Sequence, residues 1–317
     1  MCTFALHGSC KFGARCRNRH PVVAASTDED PEVAQMQRNV QRGLGSIMDQ
    51  FTSVETAGTV TDGVSANCLP PPDYLQFGSV LLLGEGDFTF AAHLATLAAL
   101  AGQRAHAHGD GSSQRLRPPT IIATSLQLRA EVLDSHPACA QQALSDLERS
   151  GATVLHGIDG RSLDNCWHMA DPVECLIWNL PFAADIDRGC SVKSEPNQML
   201  MRRFFSSVIR CTERWRRLDT KARLPKVHVT VGINQFADWN LLAVAHDCFL
   251  TVDAVHAFDP QRHGKYAVRR NERDDVFDIG QMRTYAFSVD EARITAATHA
   301  LSPKLSVLAP TFMPRQR

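Results

Sequence analysis

Cys2, Cys10, Cys16 and His20 are separated by seven, five and three residues. Three thiolates and one imidazole complete a tetrahedral Zn2+ shell with no open position, so a site of this kind folds a segment rather than catalyses. Around these ligands Lys11, Arg15, Arg17 and Arg19 bring four positive charges and no acid, and Phe12 brings an aromatic face. Cationic and stacking groups together suit single-stranded nucleic acid. Three further stretches place polar groups directly after short apolar runs: Gly84-Glu85-Gly86-Asp87-Phe88, His156-Gly157-Ile158-Asp159, and Asn179-Leu180-Pro181-Phe182. Glycines let backbone amides approach a ligand closely. Asp159 suits a hydrogen bond to adenine or ribose, or the cap of a following turn. Asn179 with Pro181 and Phe182 supplies an amide acceptor beside a stacking face; Asn-x-Pro is also a common turn.

The elements that position these groups follow from the hydrophobic pattern. Val80–Leu83 is a continuous apolar run, as expected of a strand buried on both faces. Further strands are expected at Ile121–Thr124, Thr153–Leu155, Cys175–Trp178, Val227–Val231, Thr251–Phe258 and Arg283–Val289, with helices at Phe90–Leu100, Ala138–Arg149, Gln198–Arg217 and Asp238–Cys248. Strand and helix alternate, which predicts an α/β domain with a mostly parallel sheet. In such sheets ligands bind beyond the carboxyl ends of the strands, where all three polar stretches fall. Ahead of this domain, Asp30-Pro31 reads as a helix start, and Val33, Met36, Val40, Leu44 and Ile47 recur at helical spacing. The organisation expected is therefore a metal-binding segment over 1–22, a linker over 23–76 with an amphipathic helix at 31–50, the α/β domain over 77–290 and a tail over 291–317.

The chain has 317 residues, 44% hydrophobic, with a formal net charge of −1, so any nucleic-acid surface is local rather than global. Residues 200–226 hold nine Lys/Arg against two Asp/Glu, which suits an RNA backbone or a solvated helix face. Arg269, Arg270 and Arg273 offer a second phosphate contact. Ten cysteines without paired spacing do not form a secreted disulfide framework. No apolar run reaches membrane-span length. With a metal ligand already at residue 2, no signal or transit peptide is expected, which leaves nucleus, nucleolus or cytoplasm.

Two resemblances follow from these residues. Cys10-Lys11-Phe12-Gly13-Ala14-Arg15-Cys16, with Cys2 and His20, resembles the CCCH zinc finger, a family that binds single-stranded RNA. The run Val80-Leu81-Leu82-Leu83-Gly84-Glu85-Gly86-Asp87-Phe88-Thr89-Phe90 resembles the opening of the Rossmann-like domain of 25S ribosomal RNA uridine-N3 methyltransferases. Ala123-Thr124-Ser125-Leu126, His156–Asp159, Asn179–Phe182, Asn197-Gln198 with Phe204-Phe205, and Phe258-Asp259-Pro260 with Tyr266 and Arg283-Thr284 follow in that family's order. This resemblance implies a Rossmann-like class I methyltransferase that uses S-adenosylmethionine on uridine N3 of rRNA or another RNA. It places Gly84, Glu85, Gly86, Asp87, Phe88, Gln127 and Asp159 at the cofactor and Asn179, Pro181 and Phe182 at the reacting base. RNA is the implied partner, with ribonucleoprotein proteins beside it. Two positions depart from the pattern: Gln127 stands where the family has Asp, and Phe182 where it has His. They keep open a second reading, an RNA-binding or assembly protein with a degenerate methyltransferase domain.

Overall fold

The computed structural model describes residues 68–107, 118–183, 194–270, 273–276 and 280–296. The four zinc-ligand candidates, the basic and aromatic residues around them, the helix expected at 31–50 and the tail after 296 lie outside the described residues.

The strands are β1 (Ser79–Leu83), β2 (Thr120–Ser125), β3 (Thr153–His156), β4 (Cys175–Asn179), β5 (Lys226–Gly232), β6 (Leu250–Phe258), β7 (Arg269–Arg270), β8 (Arg273–Val276) and β9 (Met282–Val289). The helices are α1 (Thr89–Ala107), α2 (Arg129–Ser135), α3 (Ala140–Ser150), α4 (Ser194–Leu218), α5 (Ile233–Asp238) and α6 (Leu241–Asp247). Seven strands form one sheet in the order β3-β2-β1-β4-β5-β9-β6, and β7 and β8 form a separate pair. β1 to β5 are parallel, while β9 runs antiparallel between β5 and β6. Parallel neighbours need crossover connections, and the helices supply them on the sheet's faces. Val80, Leu81, Leu82 and Leu83 are accordingly all buried. The chain moves outward from β1 to β3 and then returns to β4, so the order reverses between β1 and β4. A crevice opens at that switch point, beyond the strands' carboxyl ends. This is the mostly parallel α/β sheet that the hydrophobic pattern predicts, in the Rossmann-like arrangement that the resemblance implies.

The helices bury one stripe each. α3 buries Ala140, Ala143, Leu144 and Leu147, at i, i+3, i+4 and i+7, and stops at Gly151, whose φ of 76° is the left-handed cap. α4 buries Met201, Phe204, Phe205, Val208 and Trp215, and Trp215 Nε1 donates to Met169 O at 2.9 Å. Several expected boundaries move. The helix expected at Ala138–Arg149 is preceded by a separate one, α2, because Pro137 follows His136 and breaks the run. The helix expected at Asp238–Cys248 is two short ones, interrupted at Asn240 with φ 48°. The chain joins the sheet before Phe77: Leu69 pairs with the edge strand β6, donating to Val255 O and accepting from Ala257 N, each at 3.0 Å. Tyr74 is buried in a 3-10 turn at Tyr74–Gln76. Among the described residues, no helix is long and apolar enough to cross a membrane, and Cys68, Cys139, Cys166, Cys175, Cys211 and Cys248 are free thiols.

Phe204 is fully buried against Trp178, Phe205 and the sheet, whereas Arg202 two residues earlier is exposed and pairs with Asp247. Phe204→Ala should cost about 3–5 kcal/mol of stability. Arg202→Ala should cost roughly 1 kcal/mol or less, since surface ion pairs contribute little. Urea unfolding of the two variants checks the difference; equal losses would show that α4 does not pack through this face.

Candidate active site

A cavity of about 410 Å³ occupies the crevice between the ends of β1 and β4, within the size range of small-molecule sites. Its floor is an indole. Trp178, the penultimate residue of β4, is 9% exposed and packs edge-on against Phe204 with ring centroids 4.9 Å apart. Gly84 and Gly160 both exist because of it. A Cβ on Gly84 would stand 2.6 Å from Trp178 Nε1, and a Cβ on Gly160 would stand 2.9 Å from its six-membered ring. Gly84 also takes φ 64°, a region that side chains disfavour.

The turn after β1 carries two acids of different character. Glu85 N donates to Thr124 O at 2.9 Å, which ties the turn to β2. The Glu85 side chain is buried, with Oε2 accepting from Ala91 N at 3.2 Å. Burial, and next the neighbouring charge of Asp87, push its pKa up to about 8. Asp87 caps the start of α1: its Oδ1 accepts from Thr89 N at 3.0 Å and from Thr89 Oγ1 at 2.7 Å. Its Oδ2 accepts from Arg269 Nε at 3.1 Å and from Cys139 Sγ at 3.5 Å. The segment Tyr266–Arg269 thereby lies across the turn. Burial, and after it the carboxylates of Glu85 and Asp87, push the Tyr266 hydroxyl above its ordinary pKa.

On the β3 side, Asp159 Oδ1 accepts from Arg161 N and Arg161 Nε, each at 2.9 Å, and Arg161 Nη2 lies 2.9 Å from Oδ2. Asp159 thus caps the 3-10 turn Gly160–Asn165 while lining the cavity. Burial alone would raise its carboxyl, but hydrogen bonds and charge from Arg161, with the charge of Arg203, hold it below the usual carboxylate range. On the β4 side, Asn179 Oδ1 accepts from Thr230 Oγ1 at 2.7 Å, so the amide acceptor that the sequence offers to a base is already engaged within the sheet. Leu180 adopts φ 52°, held by its N–H donating to Thr230 O at 2.8 Å. Strain of this kind persists only where surrounding bonds over-determine it. Ala183 N donates to Asn197 Oδ1 at 2.9 Å, so α4 fixes the far end of the turn. Phe182 is 54% exposed at the cavity mouth, beside Met199 and Leu126.

The structure therefore brings Gly84, Glu85, Gly86, Asp87, Asp159, Asn179, Pro181 and Phe182 to one cavity. Two expected cofactor residues are placed elsewhere. Phe88 is fully buried with φ 61°, its ring 5.4 Å from that of His156, so it is a core residue beneath the turn. Gln127 is not among the residues that line the cavity, and its Nε2 donates to Ser135 Oγ at 3.5 Å. Of the two readings of the basic stretch, its ion pairs favour the helix face. Arg202, Arg210, Arg216, Arg223 and Lys226 pair with Asp247, Asp164, Glu291, Glu174 and Asp253 at 2.6–3.4 Å. Arg269 is drawn to Asp87 instead of offering itself to phosphate. Within this stretch Arg203 faces the cavity. Trp178 and Arg203 were missed as site residues; the signal available was a Trp adjoining Asn179 at a strand end. Asp185 and Asp187, the acids nearest the Asn179 motif, lie outside the described residues. Among the described residues no group of three or more His, Cys, Asp or Glu is arranged to hold a metal ion.

Chemically the cavity has an acidic, buried end at Glu85 and Asp87 and an amide-aromatic end at Asn179 and Phe182. The first suits a cationic group, the second the edge and face of a planar base.

The family model described as BMT5-like, rRNA (uridine-N3-)-methyltransferase BTM5-like, matches residues 81–270. Heavy metal-associated isoprenylated plant protein 41 of Arabidopsis thaliana is 30% identical over 226 residues, a match that covers 68% of this chain and 38% of that protein. The chain thus spans well under half the length of this relative. Among solved structures, the 30S ribosomal A1408 methyltransferase from an uncultured bacterium is 9% identical, with TM-score 0.36 over 68% of this chain and 89% of its own. A putative RNA methyltransferase from Pyrococcus horikoshii is 13% identical, with TM-score 0.35 over 68% and 76%. Likeness at that level has no bearing on activity.

Glu85 makes the site sensitive to pH. Its pKa is raised in the folded protein from 4.5 to about 8, so between these values the unfolded chain has lost a proton that the folded chain keeps. Stability should be fullest below about pH 4.5 and fall as pH rises towards about 8, by up to about 1.4 kcal/mol per unit. Glu85→Gln retains an acceptor for Ala91 N without a charge to bury. It should flatten this slope and exceed wild type in stability near pH 8, as followed by denaturant unfolding across the range; parallel curves for the two proteins would refute the buried, protonated carboxyl.

Proposed function

Since the chain belongs to the BMT5-like rRNA (uridine-N3-)-methyltransferase family, we propose that it is an S-adenosylmethionine-dependent RNA methyltransferase acting on uridine N3. The observation that supports this reading is the meeting, in one 410 Å³ cavity, of the acidic glycine turn after β1 and the Asn179-Leu180-Pro181-Phe182 end of β4. The residues fit the methyl donor, which has a sulfonium and an ammonium: the buried carboxyl of Glu85 lies where a cation would compensate its ionisation. Gly84 and Gly86 line the same end with backbone alone, Trp178 floors the cavity, and Asp159 with Arg161 lines its β3 side. When bound, S-adenosylmethionine supplies a methyl group on a good leaving group. The protein's task is then alignment and exclusion of water. Asn179 orients the base edge and Phe182, exposed at the mouth, stacks on its face.

In this reading Cys2, Cys10, Cys16 and His20 hold Zn2+ and the segment around them grips single-stranded RNA through Lys11, Phe12, Arg15, Arg17 and Arg19. It acts as a separate RNA grip for a domain in which five of the nine cations of residues 200–226 are committed to ion pairs. RNA, alone or in a ribonucleoprotein, is the partner, and nucleus, nucleolus or cytoplasm the setting.

One observation favours the non-catalytic alternative. Gln127 turns to Ser135 and Asp159 is held by Arg161, so the ribose hydroxyls of a cofactor would not meet a carboxylate at the position of Gln127. Titration calorimetry with S-adenosylmethionine separates the two: measurable binding supports the enzyme, and no heat at millimolar cofactor supports the RNA-binding alternative. Nucleoside mass spectrometry of RNA incubated with protein and cofactor should then reveal 3-methyluridine. Asn179→Ala should bind cofactor as wild type does and yield none; undiminished product would remove Asn179 from the site.

The zinc segment has its own test. Cys10→Ser should release zinc, because metal binding supplies the folding free energy of such small segments. RNA affinity should drop by about tenfold or more while cofactor affinity stays level. A variant that binds RNA as wild type does would contradict the grip.

A further inference from the structure

Behind the cavity wall, three side chains form a hydrogen-bonded line. Thr230 Oγ1 donates to Asn179 Oδ1 at 2.7 Å, and Thr230 Oγ1 and Thr284 Oγ1 lie 2.8 Å apart. Both threonines are fully buried and sit directly opposite one another on β5 and β9. A hydroxyl has a single hydrogen. Thr230 gives its own to Asn179, so Thr284 supplies the hydrogen of the second bond. The line therefore has one direction, Thr284 to Thr230 to Asn179, and it fixes which end of the amide faces it. Thr230 also accepts the Leu180 N–H through its carbonyl at 2.8 Å, so the amide and the strained turn depend on one residue.

The other end of the amide is the informative one. Asn179 Nδ2 is shielded from solvent and has no hydrogen-bond partner among the described residues. An orphaned buried donor is destabilising and calls for an explanation. Asn179 lines the cavity, and a base seated against the amide would give this orphaned donor a partner. Building on the methyltransferase reading above, we propose that Thr230 and Thr284 are positioning residues that turn Asn179 into a hydrogen-bond donor towards the substrate, so that the cavity selects a base whose target nitrogen is flanked by carbonyls. Uracil meets this condition, with N3 between O2 and O4, both acceptors. Cytosine and adenine present an amino group on the same edge, and donor would face donor. An Asn free of the threonines would rotate and read either kind of base.

The first arm of the test does not depend on activity. In amide-detected NMR spectra of the full chain, the Asn179 side-chain NH2 resonances, assigned by their loss in Asn179→Ala, should shift in Thr230→Val and in Thr284→Val but stay near their wild-type positions in Thr230→Ser. Unmoved resonances in both Val variants overturn the relay, whatever the protein catalyses. The second arm is kinetic. Thr230→Val should lower kcat about tenfold or more, the scale of one lost hydrogen bond. It should leave KM for RNA and cofactor affinity level, and Thr230→Ser should restore turnover. Asn179→Asp keeps the oxygen served by Thr230 but replaces the donor with an acceptor, so it should be as inactive as Asn179→Ala. An active Asp variant, or a wild-type product methylated beside an exocyclic amine, overturns the donor rule. Absence of cofactor binding by wild type would instead refute the methyltransferase reading, and the NMR arm would still decide the relay.

Discussion

The indole of Trp178 occupies the volume that side chains at Gly84 and Gly160 would need, and the site depends on that exclusion. The turn after β1 and the turn after β3 both come down onto the same ring. It stands on Phe204, which α4 buries against the sheet. The crevice at the switch point is therefore floored by a rigid aromatic surface. The turns after β1 and β3 and the end of β4 that carries Asn179 take their positions from strand ends beside this ring. A close-packed floor of this kind transmits small displacements instead of absorbing them, because protein interiors leave few voids.

Charge sets the second constraint. Two carboxylates sit within three residues of each other in a buried turn, and each is handled differently. Asp87 is fully engaged by Thr89, Arg269 and Cys139. Among the described residues Glu85 has one backbone donor and no ion-pair partner, so its burial favours the neutral acid. The contrast divides their roles. Asp87 is structural, closing the Tyr266–Arg269 segment over the turn, while Glu85 keeps an uncompensated affinity for positive charge at the deep end of the cavity.

Much of this was legible in the sequence where the physics is local. The apolar runs Val80–Leu83 and Cys175–Trp178 announce buried parallel strands, because only strands covered on both faces lack alternation. Glycine and proline mark the turns that follow them. The two readings of the basic stretch at 200–226 could not be separated in the sequence because its compensation is remote: Arg210 meets Asp164 across 46 positions and Arg216 meets Glu291 across 75. No local count of charges reveals such pairing. Phe88 looked like part of a ligand turn, yet positive φ carries its ring inward beneath the glycines. Trp178 looked like one more strand residue, since its role arises only when β1, β3 and β4 meet.

The antiparallel strand β9 brings the last link. Its insertion between β5 and β6 places Thr284 opposite Thr230, and thereby connects the end of the domain to an amide more than a hundred residues earlier. Replacing either threonine by valine would cost little volume, so packing alone does not require hydroxyls there. Their presence in a buried sheet layer is explained by the amide they orient, because a buried hydroxyl without partners is destabilising. An acceptor-facing amide could have been held equally well by a backbone N–H. A hydroxyl line that ends on Oδ1 leaves Nδ2 as the amide's unpartnered group, and in the proposed role the polarity of the base edge follows from the direction of that line.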